Sequence, residues 1–498
     1  MTDSEDIAAL ARGGRTNILG LILRLAARLP FLFIAGRLYG PEIVGRFALA
    51  VLVIEIAALL ATLGLKRGLA QALAETDRPH AHIVWDAIVV AFVASLIASA
   101  ILFALPEIMY PNSEVIGLER LLPAIVFAVA ISDVSLAALA YRHNVKAAVT
   151  ARAVIEPWTI SIGAGLLFYV SPRDGLVIAY VLSMAAALVA SLVPFIRSYG
   201  FPHGWRPWPG PILAMARRNM PLAGADAIEW GTRNVDRFIL GLLFAPSVVG
   251  IYYMAQQVAS VPARLRSSFD PILGPVITNS LANGDRKAVA RQVRQVGFWI
   301  MAAQAALALM FAIPASGVMG LIGPQFVVGA GAMCFLLVAE VVASPGAVCE
   351  GALVYLARHR NLMISISVLS LQIVLSFALI LAMRELHWPA NYQAAGPAVA
   401  LAGALTVGSV VKSLVLRRML GAPVTAIRWP FLGAVLVGAL VGAAFMSLPK
   451  RFEWIELSLG MPAILISYLF VIIKWAFGPA DRALFRKMPA TTLAPEAA

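Results

Sequence analysis

Asn17, Arg24 and Arg28 recur at spacings of seven and four inside an apolar run, which places them on one face of a helix. A second stripe holds Asp226, Glu229, Trp230, Arg233 and Arg237, with Asp236 beside it. A third holds Gln256, Ser260, Arg264 and Ser267, with Arg266 and Asp270 close by, and Glu55 lies in a fourth apolar run with Arg46 above it. Ionisable groups at bilayer depth are costly and face a cavity or a partner. Arginine keeps its charge at any physiological pH, and its planar fork matches phosphate oxygens two at a time. Arg24, Arg28, Arg233, Arg237 and Arg264 are therefore the candidate anion-binding residues, with a diphosphate the best chemical match. Glu55, Asp226, Glu229, Asp270 and Glu340 are candidates for proton or sodium coupling. The alternative is that these carboxylates only neutralise arginines. Glu229–Arg233 and Arg233–Asp236 are spaced to pair along their own helix, whereas the helix of Arg24 and Arg28 offers no carboxylate.

The elements that must carry these residues follow from composition. Of 498 residues, 61% are hydrophobic and 13% charged. A soluble domain of average composition has about 25% charged residues, so this chain cannot coat a water-soluble surface. A membrane helix needs roughly 20 apolar residues. Apolar segments fall near 16–38, 43–64, 86–109, 119–141, 153–170, 175–196, 219–243, 250–275, 295–316, 329–355, 363–384, 394–416, 429–447 and 458–477. That predicts an all-α polytopic membrane protein of about 14 transmembrane helices. The segments 219–243 and 250–275 carry the most polar groups. The acidic start, Met1 to Asp6, lacks the basic region and cleavage site of a secretory signal, so the first span is expected to remain attached.

The net charge of +13 resolves into topology. With the N-terminus cytoplasmic, the inner segments hold 25 of the Lys and Arg residues, and the outer loops hold three, Arg173, Lys450 and Arg451. This bias puts both termini inside and leaves no nucleic-acid footprint. The outer loops are short, which disfavours a membrane polymerase or glycosyltransferase. The segment 197–218, rich in Pro, Gly and Trp, reads as an interfacial connector between two halves. The stretches 65–85 and 280–297 read as interfacial helices on anionic lipid.

Phe33 to Ala50 matches Phe238 to Ala255 at an offset of 205, with identities that include Gly36/Gly241, Pro41/Pro246 and Gly45/Gly250. Tyr39/Phe244 and Phe47/Tyr252 are aromatic exchanges. The offset spans six crossings, so the halves enter the membrane in the same direction and are related by an axis along the membrane normal. It also maps Arg28 onto Arg233. The expected division is an N-lobe over 1–200 (spans 1–6), a C-lobe over 201–425 (spans 7–12), accessory spans 13 and 14 over 426–477, and a cytoplasmic tail over 478–498. Prolines 30, 123, 157, 262, 271, 314 and 345 kink the spans they occupy. Cys334 and Cys349 are 15 residues apart on one span, about 22 Å along a helix, and cannot pair. His80 and His82 have no third ligand nearby. There is no phosphate-binding G-x-x-x-x-G-K-[ST] loop and no nucleophile elbow, so no enzyme activity, cofactor or metal is expected.

Leu38-Tyr39-Gly40-Pro41-Glu42-Ile43-Val44-Gly45-Arg46-Phe47-Ala48 resembles the "LGPEEYGxYA" turn of polysaccharide flippases. Asn234-Val235-Asp236-Arg237-Phe238-Ile239-Leu240-Gly241, followed by Val249-Gly250-Ile251-Tyr252, resembles their "NxDRxxLG…VGxY". The resemblance is to the Wzx-type flippases of the multidrug/oligosaccharidyl-lipid/polysaccharide (MOP) superfamily. It implies export of an undecaprenyl-diphosphate-linked oligosaccharide, a repeat unit of O-antigen, capsule or exopolysaccharide, across a bacterial inner membrane by alternating access. The family's cationic cavity would correspond to Arg24, Arg28, Arg233, Arg237 and Arg264. Implied partners are the lipid-linked substrate, membrane lipids, and the polysaccharide polymerase and chain-length machinery. Tyr39 replaces the usual Leu, and the acids Asp226 and Glu229 lower the charge expected of the cavity. The alternatives are a cation-coupled small-molecule antiporter of the same superfamily and a peptidoglycan-precursor flippase, whose "SRxLG" motif is missing near the first span. A membrane enzyme and an assembly scaffold complete the set.

Overall fold

The computed structural model describes residues 29–75, 77–266, 277–278, 280–281, 283–449, 453–478 and 481. Arg24, Arg28 and Asp270 lie outside the described residues. The rest is helical, with no β-strand among the described residues. In chain order the helices are α1 (29–39), α2 (Gly40–Ala61), α3 (His80–Ala104), α4 (Gly117–Tyr141), α5 (145–167), α6 (Gly175–Tyr199), α7 (Pro209–Leu243) and α8 (Pro246–Arg266). They continue as α9 (Arg286–Ala312), α10 (Pro324–Leu356), α11 (Arg358–Glu385), α12 (Ala390–Leu420), α13 (Trp429–Met446) and α14 (Glu456–Ala476). A surface helix, Leu65–Ala74, follows α2, and a short helix, Ala315–Ile322, precedes α10.

Ten helical stretches are long and apolar enough to cross a membrane, with α1 and α2 counted inside one of them, Leu29–Ala74. The others of span length are α5, α7 and α8. The last two fail on composition for a physical reason: their polar residues line a cavity between the helices. The chain is therefore a multi-pass membrane protein, with lipid-facing apolar side chains on α3, α11, α13 and α14 left exposed by the packing.

The sequence repeat is also a structural one. In each half a break precedes a helix with proline in its first turn. Gly40 takes φ +75° before Pro41, and Phe244 is extended before Pro246. The second helices of the two halves, α2 and α8, then cross backbone to backbone. A Cβ on Gly45 would stand 1.7 Å from the Pro246 carbonyl oxygen, and a Cβ on Gly250 would stand 2.0 Å from that of Pro41. The reciprocity of these contacts marks the axis relating the halves. Glycine is needed at both positions because no side chain fits between the crossing backbones. One repeat pair has diverged in chemistry. Phe31 packs its ring on Phe47 at 6.0 Å, while at the matching positions Tyr252 donates to Asp236 Oδ2 at 2.6 Å.

Two prolines inside helices have hydrogen bonds beside them. Pro345 cannot donate to the Val341 carbonyl, and the Ser344 hydroxyl donates to it instead at 2.8 Å. The Gly346 N–H then donates to Ser409 Oγ on α12 at 2.8 Å, where α10 and α12 touch. Near the end of α8, Gln304 Nε2 on α9 donates to the Pro262 carbonyl at 3.1 Å. Cys334 and Cys349 are both free. Cys334 donates to the Ala312 carbonyl and Cys349 lies 3.6 Å from Ser413 Oγ.

One buried carboxylate helps anchor α13 and α14 to the second half, beside their apolar packing and the Tyr468 hydroxyl, which donates to the Ala302 carbonyl at 2.9 Å. Asp481, 1% exposed, accepts from Trp299 Nε1 (2.7 Å), Arg428 Nη1 (2.6 Å), the Gly478 N–H (2.7 Å) and Gln295. The Arg428 guanidinium also lies 3.9 Å from the centre of the Phe298 ring.

Candidate functional site: a cavity between the two halves

Beyond the Gly45/Gly250 crossing the helices diverge around a cavity of about 1070 Å³. Its walls come from α2, α7, α8, α10, α11 and α12, with Arg67 from the surface helix. The repeat organises this lining. Val51 and Glu55 on α2, and their equivalents Gln256 and Ser260 on α8, all face the cavity. Among the described residues its charged lining comprises six cations, Arg67, Arg233, Arg237, Arg264, Arg358 and Lys412, and four carboxylates, Glu55, Glu229, Glu340 and Glu350. The formal balance is +2.

Of the arginines picked out by spacing, Arg233, Arg237 and Arg264 line this one cavity. Arg237 is the most buried, at 6% exposed. Its guanidinium donates to Asn234 Oδ1 and packs on the Tyr253 ring at 5.4 Å, while Nε has no hydrogen-bond acceptor. A buried cationic donor without an acceptor is a costly arrangement in a folded protein unless a ligand or water completes it. Arg233 is nearly half exposed, and its Nη1 lies 3.5 Å from Glu340 Oε1 on α10.

The in-helix pairs that spacing allows on α7 are not the pairs that form. Glu229 Oε2 accepts from Arg67 Nη2 at 2.8 Å, and Asp226 Oδ1 lies 2.8 Å from Arg67 Nε as an ion pair rather than a directed hydrogen bond. Asp236 turns away from the cavity into the α7–α8 contact, where it meets Tyr252 and Gln256 and is fully buried. Helical periodicity gives the face of a residue but not the neighbour that another helix brings to it. Asp226 does not itself line the cavity, and Glu55 and Glu229 do. Arg46 pairs away from Glu55, donating to Glu119 Oε1 (2.8 Å) and Oε2 (2.6 Å) on α4.

Arg67 joins the first half to α7 at the cavity's far end from the Gly45/Gly250 crossing. The join is tight: a Cβ on Gly68 would stand 1.7 Å from Asn219 Oδ1. Beside it, Arg218 pairs with Glu75, and this hydrogen bond, with a second from Gln71, holds the Glu75 carboxyl below its usual range.

Sequence reasoning missed Arg67, Glu350, Lys412, Arg358 and Asn361. Lys412 Nζ and Glu350 Oε2 are 2.9 Å apart across α12 and α10, and Asn361 Nδ2 donates to Glu350 Oε1 at 3.3 Å. A lysine and a glutamate inside otherwise apolar spans were the available signal. A further ionic cluster, Asp133–Arg152–Glu156 with Lys66, sits within the first half.

Residues 34–330 match the model of a family described as polysaccharide biosynthesis protein. The chain belongs to this family. No curated protein matches it in sequence. Among solved structures it is similar to the lipid II flippase MurJ in an inward closed conformation, with a TM-score of 0.70 at 12% identity over 92% of this chain and 97% of that one. It is also similar to an inward-facing multidrug resistance MATE family transporter of the MOP superfamily, with a TM-score of 0.63 at 14% identity over 80% and 98%. A MOP superfamily transporter from Pyrococcus furiosus, whose binding pocket is described as reversed in polarity, gives a TM-score of 0.56 at 14% identity over 84% and 96%. At these identities the likeness is one of fold. The chain shares the helical fold of these transporters.

Proposed function

We propose that this protein is a flippase for an oligosaccharide linked to undecaprenyl diphosphate, moving a repeat unit of O-antigen, capsule or exopolysaccharide from the cytoplasmic to the outer leaflet of a bacterial inner membrane. The observation that carries the reading is Arg237: a buried guanidinium with an unmatched Nε, at the wall of a net-cationic cavity between two membrane halves. A diphosphate supplies both the charge and the acceptors that this site lacks. The family description supports a polysaccharide cargo. In this reading Arg233, Arg237 and Arg264 bind the anion, with Arg24 and Arg28 contributing from the first helix. The lobes are residues 1–200 and 201–425, followed by 426–477 and a tail. Both termini are cytoplasmic. The Gly45/Gly250 crossing seals the outer side, and the cavity then loads from the inner side. Alternating access needs no chemistry on the cargo, so the protein acts as a transporter without a catalytic step. The polymerase and chain-length proteins would receive the product outside.

The carboxylates around the cavity are also what a cation-coupled antiporter would use. Glu229, Glu340 and Glu350 each face a cation here, which supports charge compensation as their main role, with coupling kept for Glu55, Asp226, Glu229 and Asp270 as a proposal. The test is polysaccharide export in a strain lacking the gene and complemented with Arg237→Ala, Arg233→Ala, or both. Loss of a charge-assisted contact of about 1.5–3 kcal/mol weakens cargo binding roughly 10- to 150-fold. Export should fall accordingly, with normal protein in the membrane fraction. Wild-type export by the double variant would sink the assignment.

A further inference from the structure

We propose that the cavity contains a second subsite that reads an uncharged sugar, built by Glu350, Asn361 and Lys412 from three different helices. This rests on the flippase reading and specifies which part of the cargo the mouth of the cavity recognises.

Asn361 is 92% buried, being 8% exposed, yet lines the cavity. Its amide nitrogen donates to Glu350 Oε1 at 3.3 Å, while its Oδ1 has no hydrogen-bond partner. Buried polar atoms are almost always matched, so an unmatched amide oxygen at a cavity wall points to a donor arriving with a ligand. The second oxygen of Glu350 lies 2.9 Å from Lys412 Nζ. Ammonium and carboxylate cancel in charge, and together with the amide they present donors and acceptors side by side. That mixture complements hydroxyl groups, which both donate and accept, and does not complement a phosphate. Tyr355, more than half exposed and five residues beyond Glu350 on α10, adds a flat wall to the same cavity against which the C–H face of a pyranose ring fits.

The placement suits a sugar next to a diphosphate. Arg264 on α8 and Glu350 on α10 line the same cavity. A diphosphate held by the cavity's arginines therefore keeps its first sugar in the same cavity as Glu350 and Asn361. The cavity separates its tasks: arginines take the charge common to every lipid-linked cargo, and the neutral cluster distinguishes the glycan.

The experiment titrates the purified full-length protein in lipid nanodiscs with undecaprenyl diphosphate, bare or carrying one glucose, galactose, N-acetylglucosamine or glucuronate. The expected result is that at least one neutral sugar tightens binding roughly tenfold over the bare lipid, the effect of about two added hydrogen bonds. Asn361→Ala should cut that gain to under about threefold while leaving the affinity for the bare lipid unchanged, which also reports that the variant is folded; Glu350→Gln should cut the gain likewise while leaving Lys412 uncompensated and so tightening the bare lipid. No gain from any neutral sugar, a larger gain from glucuronate, or a gain retained by both variants would overturn the subsite. Failure of the wild type to bind the bare lipid at all would instead count against the flippase reading beneath it.

Discussion

Gly45→Ala is the sharpest perturbation the structure offers. The added methyl would lie 1.7 Å from the Pro246 carbonyl oxygen. A tolerable carbon–oxygen contact is about 3.3 Å, so α2 and α8 must part by roughly 1.6 Å. The atoms met are backbone in both directions, so no side-chain rotation relieves the clash. Overpacking of this kind costs about 1–3 kcal/mol. The cost falls only on states in which the two helices cross here. If transport requires this end to open, the open state avoids it, and the population shifts toward opening by roughly 5- to 150-fold. Gly250→Ala should do the same, because the Pro41 contact is its mirror. The assay uses Val51→Cys, at a position that faces the cavity, in a background with Cys334 and Cys349 replaced by Ser. A membrane-impermeant maleimide is applied from the side carrying the Pro41 and Pro246 turns. Slow labelling in the parent and faster labelling in either alanine variant is expected. Unchanged labelling in both variants, together with lowered thermal stability, would show that the crossing is a fixed structural contact and refute its role as a seal that opens.

Three further outcomes follow from single contacts. Arg67→Ala should loosen the opposite end by about 1–3 kcal/mol, because the exposed Glu229 pair adds little but the buried Asp226 loses its cation; spin-label distances between Leu65–Ala74 and α7 should broaden, and salt should broaden those of the parent in the same direction. Tyr39→Phe removes a buried 2.7 Å hydrogen bond to the Ala164 carbonyl, which keeps the Phe168 N–H, and should lower stability by about 0.5–1.5 kcal/mol, read as a drop in midpoint temperature with export retained. Asp481→Ala strips the acceptor shared by Arg428, Trp299 and Gln295 and should destabilise by about 3–5 kcal/mol, with proteolysis near α13 and α14 as the readout; an unchanged midpoint would remove Asp481 from its anchoring role.

Much of the architecture was legible in the chain alone. Span-length apolar runs dictate transmembrane helices because unpaired backbone groups cannot exist in lipid, and a Pro–Gly repeat at an even number of crossings dictates parallel halves. The two most polar segments were also the informative ones. α7 and α8 were hard to recognise as spans because they line the cavity, and the same polar residues marked the site.

What the sequence could not decide was partnership. Spacing correctly put Asp226, Glu229, Arg233 and Arg237 on one helix, and from that alone Glu229 and Arg233 were free to pair with each other. The folded chain gives Glu229 to Arg67 and Arg233 to Glu340, residues 162 and 107 positions away. It turns Asp236 into the α7–α8 contact and gathers Glu350, Asn361 and Lys412 from three helices. Periodicity is a property of one helix, set by local backbone geometry. Charge pairing is settled by which helices cross, and at what depth, which only the packing of small residues such as Gly45, Gly250 and Gly346 determines. Composition and spacing therefore determined the membrane class, the repeat and the polar faces. Tertiary structure alone decided which of those charges stand together around the cavity.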